Sequence, residues 1–77
     1  MDIIYFSLNV PTSSVEDFES KVLKLFNVNG ENCSLMLKNA PTRCIDNLGD
    51  EYYTYSFSTL SIIDIYLLGR YVAIFNI

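Results

Sequence analysis

Apolar and polar positions alternate cleanly at the start of the chain. From Ile3 to Val10, Ile4, Phe6, Leu8 and Val10 fall on one side, and Ile3, Tyr5, Ser7 and Asn9 on the other. That period of two predicts a half-buried strand, which Pro11 ends because it offers no amide to a ladder. The period then lengthens. Val15, Phe18, Val22, Leu25 and Phe26 recur at helical spacing and predict a helix over about residues 13–27. Ser13 with Glu16 three residues on has the form of a capping box. Glu16, Asp17 and Glu19 precede Lys21 and Lys24, an order that complements the helix dipole, and Asp17 and Lys21 are placed to pair. The run Asn27-Val28-Asn29-Gly30 stops the helix.

Residues 33–38 predict a second strand with Cys33, Leu35 and Leu37 inward, and residues 39–50 a loop punctuated by Pro41 and Gly49, pinned by Ile45 and Leu48. Residues 51–58 predict a tyrosine-rich strand with Tyr53, Tyr55 and Phe57 on one face. The last 18 residues fit two patterns. One is a hairpin, residues 62–68 and 71–77 about a Gly69-Arg70 turn, favoured by the β-branched residues. The other is a short helix over residues 60–68, with Leu60, Ile63 and Leu67 inward and Gly69 stopping it. The expected fold is therefore α+β, a single domain over residues 1–77. One main helix packs on an antiparallel four- to five-stranded sheet, in the order βαββββ with a C-terminal hairpin or, alternatively, the ferredoxin-like βαββαβ.

Composition narrows what such a domain does. Half the residues are apolar, so a core is within reach without metal or disulfide staples, and some apolar surface is left for a partner, a second copy of the chain included. Nine acids against five scattered bases give a net charge of −4, against direct nucleic-acid binding, which needs clustered Lys and Arg. With only 18% charged residues the chain is too sparsely charged to mimic a nucleic-acid backbone. Asp64 and Arg70 interrupt the apolar C-terminal stretch, so no membrane span is expected. The first residues lack a basic, apolar leader pattern, so a reducing, cytoplasmic setting with free thiols at Cys33 and Cys44 is expected.

Candidate chemistry is sparse. Histidine is absent, which removes Ser-His and Cys-His pairs within one chain, and no enzyme activity is expected. Two cysteines without histidine do not complete a zinc site, and Asp46-Asn47-Leu48-Gly49-Asp50-Glu51 lacks EF-hand spacing and reads as a solvated turn. No cofactor is expected, since the three glycines stand apart and form no phosphate-binding motif. The tyrosines are the suggestive feature. Tyr5 and Tyr52 share outward parity on their strands, and Asp50 and Glu51 lead into the second. Tyr5, Asp50, Glu51 and Tyr52 are therefore the candidate partner-binding residues, an aromatic centre with a charged rim.

No run of residues names a family. The residue skew toward Phe, Tyr, Met, Ile, Asn and Lys mirrors AT-rich codons and points to an AT-rich genome. In size, acidity and that skew the chain resembles, at class level, the small inhibitors that phages and mobile elements encode against host defences, anti-CRISPRs among them. The resemblance implies a non-enzymatic domain in the host cytoplasm that blocks a host protein by steric contact. The alternatives are a small-ligand or nucleotide-binding module, dimeric with the ligand between subunits, and a structural or assembly subunit.

Overall fold

The structure, a computed structural model, describes residues 2–28 and 34–77. Its centre is β4 (Glu51–Thr59), the tyrosine-rich strand. β1 (Ile4–Pro11) lies antiparallel along one edge of it, from Ile4 opposite Thr59 to Pro11 opposite Tyr52. The other edge holds two short strands in series. β2 (Met36–Leu37) pairs with Ser58 and Phe57, and β3 (Thr42–Ile45) with residues 54–51. From Leu37 to Thr42 the edge advances five residues while β4 advances three, from Phe57 to Thr54. The surplus residues form a bulge that includes Pro41, which breaks up an otherwise unprotected sheet edge.

The helix after β1, α1, changes its winding along its length. It opens as a 3-10 turn (Thr12–Ser14), passes through one α-helical turn (Val15–Asp17) and continues as a π-helix (Phe18–Leu23). The expected helix is present, and so is the Asp17–Lys21 ion pair at 3.6 Å. Two details differ. Ser13 does not cap the helix, because winding begins at Thr12 and the capping position falls on Pro11, whose side chain has no acceptor. Leu25 is 58% exposed where burial was expected. The π-helix turns less per residue than an α-helix. The inward stripe therefore runs Phe18, Val22, Phe26, at a spacing of four, and Leu25 swings out.

The last element overturns the hairpin reading of the C-terminus and bears out the helical one as far as Gly69, beyond which the helix continues where a stop and a strand were expected. Residues Ile62–Ile74 form one continuous helix, α2, which passes through Gly69 and Arg70 without a turn. The order is βαβββα, neither the C-terminal hairpin nor the ferredoxin-like arrangement, although the α+β class and the four-stranded antiparallel sheet are as expected. Ser61 caps α2 by accepting the Ile63 amide at 3.3 Å, and Asp64 lies in the first turn. The Thr59 hydroxyl, buried at the end of β4, donates to Asp64 at 2.6 Å and accepts the Ser61 amide at 3.2 Å. Ser34 also donates to the Asp64 carboxylate, so three segments meet at this acid. This polar clasp and the packing of Leu68 outweigh the strand preference of the β-branched residues. Leu60 and Ile63, expected inward, are exposed: Leu60 precedes the helix, and the stripe that packs on the core runs through Leu68, Tyr71, Val72 and Phe75, which turns Ile63 outward.

Both helices lie on the same face of the sheet. The core between them consists of Val10, Phe18, Val22, Leu35, Tyr55, Phe57 and Leu68. Phe18 and Tyr55 rings pack 4.8 Å apart, and Phe26 meets Tyr71 edge-on at 5.5 Å. Leu35 is inward as expected; Cys33 and the Asn29-Gly30 part of the helix stop lie outside the described residues. β3 occupies what the sequence presented as loop, and Ile45 and Leu48, expected to pin that loop, are 59% and 87% exposed. The turn is held instead by Asp46, whose carboxylate accepts the Leu48 and Asp50 amides at 2.8 and 3.0 Å. Gly49 takes φ +86°, a conformation that suits glycine. No helix among the described residues is long and apolar enough to cross a membrane.

Candidate functional site

With both helices on one side, no helix among the described residues covers the opposite face of the sheet. Strand alternation puts Tyr5, Ser7, Asn9 and Pro11 of β1 on it, with Tyr52, Thr54, Ser56 and Ser58 of β4 alongside. The predicted parity of Tyr5 and Tyr52 holds. The centre of the face is a field of small hydroxyl and amide side chains. Thr54 donates to Asn9 at 2.9 Å, and the Cys44 sulfur lies 3.8 Å from the Thr54 hydroxyl on the other side, which links β1, β4 and β3 in a row. Cys44 is a free thiol.

The two tyrosines do not form one patch. Tyr5 pairs with Ser58, and Tyr52 lies six residues back along β4, so about 20 Å of strand separates them. Tyr5 is 65% exposed and stands under the Lys38 ammonium, which lies 5.7 Å from its ring centre. Tyr52 is half-buried at the far end, where it pairs with Pro11 on one side and Cys44 on the other.

The other candidates gather around Tyr52. Asn9, Asp46, Asp50, Glu51 and Tyr52, together with the Pro11–Ser13 segment, line a broad open depression of about 790 Å³. It lies at the end of the sheet where β1 passes into α1 and β3 turns into β4. Asp50 is exposed, while Glu51 accepts a 2.6 Å bond from Arg43 on the neighbouring strand. That bond and the Glu51 charge push the Arg43 guanidinium above its ordinary range. Since the pair is exposed, it orients Glu51 more than it stabilises the fold. Asp46 and Asn9 carry no site signal in the sequence: the pattern around Asp46 presents a loop where the β3–β4 hairpin forms, and Asn9 is one polar position in an alternating strand. Spacing offered one clue: Asp46 and Asp50 bracket a Gly-containing turn, a pattern that fits a tight hairpin.

Among the described residues no cluster of three or more His, Cys, Asp or Glu side chains has the geometry of a metal site. The arrangement offers hydrogen-bond acceptors, negative charge and one half-buried aromatic ring on an open surface. No family model, curated protein or solved structure matches this chain.

Proposed function

We propose that this chain is a non-enzymatic protein-binding domain that blocks a functional surface of a host protein by steric contact. It docks through the Tyr52 end of the sheet face opposite the helices. The observation that supports this reading is the convergence of Asp46, Asp50, Glu51 and Tyr52 on one open depression. Asp46 and Asp50 beside an aromatic ring suit a basic protein surface: the ring supplies buried area, and the acids steer the approach, with Glu51 at the rim on the Arg43 side. A small ligand would need more enclosure than an open depression gives, because pockets for such molecules bury most of the ligand's surface. The inhibitor role rests on the class-level resemblance in size and acidity to small phage-encoded inhibitors.

The test starts with affinity capture from the host cell and identification of the bound protein by mass spectrometry. Tyr52→Ala is then expected to weaken binding by about 2 kcal/mol, roughly 30-fold, with an unchanged thermal midpoint. Tyr5→Ala, 20 Å away along the sheet by the same strand geometry, is expected to bind within about twofold of wild type. If Tyr52→Ala folds normally and binds as wild type does, the docking surface lies elsewhere, with the exposed acids Glu16 and Asp17 of α1 next to be substituted.

A further inference from the structure

α2 is apolar on both sides. Its inner side packs Leu68 and, in part, Tyr71, Val72 and Phe75 against the core. Its outer side exposes Ile62 at 70%, Ile63 at 62%, Tyr66 at 67% and Ile74 at 57%, with Leu60 beside them. A helix that is hydrophobic all round is normally buried all round. Summed over these five residues the exposed surface is about 600 Å², on the order of a monomer's largest apolar patch. Two copies joined there would bury at most about 1,200 Å², near the lower bound for a stable specific interface.

The pattern on this face is self-complementary. Ile62, Tyr66, Gly69 and Ala73 follow one another at spacings of four, three and four, the seam of a helix that pairs with another. Placed antiparallel about a two-fold axis between Leu67 and Leu68, this seam sets Tyr66 against Gly69 of the second copy and Ile62 against Ala73. Each large side chain thus meets a small one, and each contact occurs twice. Gly69 supports the pairing independently. Its backbone is ordinary helix, and a Cβ built on it meets nothing within 4 Å, so no contact among the described residues requires glycine there. Glycine weakens a helix interior, and a facing ring gives a reason for it. Charge bears on the occupant too: Arg70 is the one base on this face and the chain carries −4 overall, whereas a helix lying on an anionic membrane displays several bases.

We infer that the outer face of α2 holds a second copy of this chain in a symmetric antiparallel helix pair, with Tyr66 of each protomer seated over Gly69 of the other. The sheet faces of such a dimer point away from each other and stay open. The inference does not rest on the proposed function, and its test needs no partner. Sedimentation equilibrium from 1 to 500 μM is expected to show the mass fall from twice 8.8 kDa to 8.8 kDa on dilution. Tyr66→Lys and Gly69→Leu are each expected to raise the dissociation constant by at least about 30-fold, with an unchanged far-UV spectrum. Tyr5→Lys, on the opposite face, is expected to leave it unchanged. Wild type that stays at 8.8 kDa throughout overturns the inference whatever the variants do, as does a dimer that Tyr5→Lys dissociates and Tyr66→Lys does not. Wild type that co-sediments with neutral phosphatidylcholine vesicles in place of self-association overturns it in favour of a lipid surface.

Discussion

A tyrosine hydroxyl shut away from water needs an acceptor, and Tyr55 has Glu19. The ring is fully buried between Phe18 and Phe57, and its hydroxyl donates to the Glu19 carboxylate at 2.8 Å across the helix–sheet interface. Burial first, and the bond to Glu19 second, push the Tyr55 hydroxyl well above the ordinary tyrosine range. In the unfolded chain it titrates near pH 10. The folded state therefore holds the proton more tightly: the contribution is complete below about pH 10 and is lost as pH rises further. Tyr55→Phe is expected to cost about 0.5–1.5 kcal/mol at pH 7, the value of the lost bond. It is also expected to flatten the decline above pH 10, in urea denaturation from pH 8 to 11. Parallel curves for the two proteins would show that this hydroxyl is not shielded. At this scale the sequence was largely transparent. The inward sets of β1 and β4 follow from alternation alone, since a strand offers only two faces. Leu25 was misplaced because nothing in the residue pattern announces a π-helical stretch.

Both helices end in the same way, and the sequence repeats itself there. α1 runs out through Phe26-Asn27-Val28 and α2 through Phe75-Asn76-Ile77. The two asparagines take φ values of 49° and 56°, in the left-handed region. The following amides reach back, Val28 to the Leu23 carbonyl at 3.2 Å and Ile77 to the Val72 carbonyl at 3.0 Å. This is the Schellman arrangement, with asparagine where glycine is more usual. Alanine at either position is expected to cost about 1–2 kcal/mol, lowering the thermal midpoint by at least about 4 °C. Glycine there is expected to leave the midpoint unchanged or raise it. Equal effects of alanine and glycine would show that the left-handed turn does not form in solution. The end of α1 was legible locally, whereas Gly69 drew attention from the end of α2 at Asn76. The identity of α2 was not legible, because an apolar run rich in β-branched residues fits a period of two and a period of 3.6 equally well. What decides it is tertiary: the Thr59–Asp64 clasp at the start of the helix and the packing of Leu68 on the core. β3 escaped notice for a related reason, since four residues without an inward apolar set carry no periodicity.

At the scale of the whole molecule the principal extents are 40 × 23 × 19 Å, and the acids of the candidate site collect at one end of the sheet. The sequence placed Asp50, Glu51 and Tyr52 together because they are neighbours in the chain. It also gave Tyr5 the right face, but position along a sheet depends on register, and register on β1 against β4 carries Tyr5 to the far end beside Lys38. Asp46 reaches the site only through the β3–β4 turn. The grouping has a kinetic consequence. Exposed acids clustered at one end attract a basic partner over about 10 Å at 0.1 M salt, which speeds encounter more than it strengthens the final contact. Asp50 is the acid to test: it is exposed, whereas Asp46 holds the turn and Glu51 is tied to Arg43. Asp50→Lys is expected to slow association with the captured partner about tenfold at low ionic strength and to flatten the dependence of the association rate on salt. The dissociation rate should change much less, and the thermal midpoint little, since the residue is exposed. Stopped-flow mixing between 20 and 500 mM salt separates these effects. An unchanged association rate with an unchanged salt slope would mean that the acids of this depression do not face the partner, and the docking surface would have to be sought away from the Tyr52 end of the sheet.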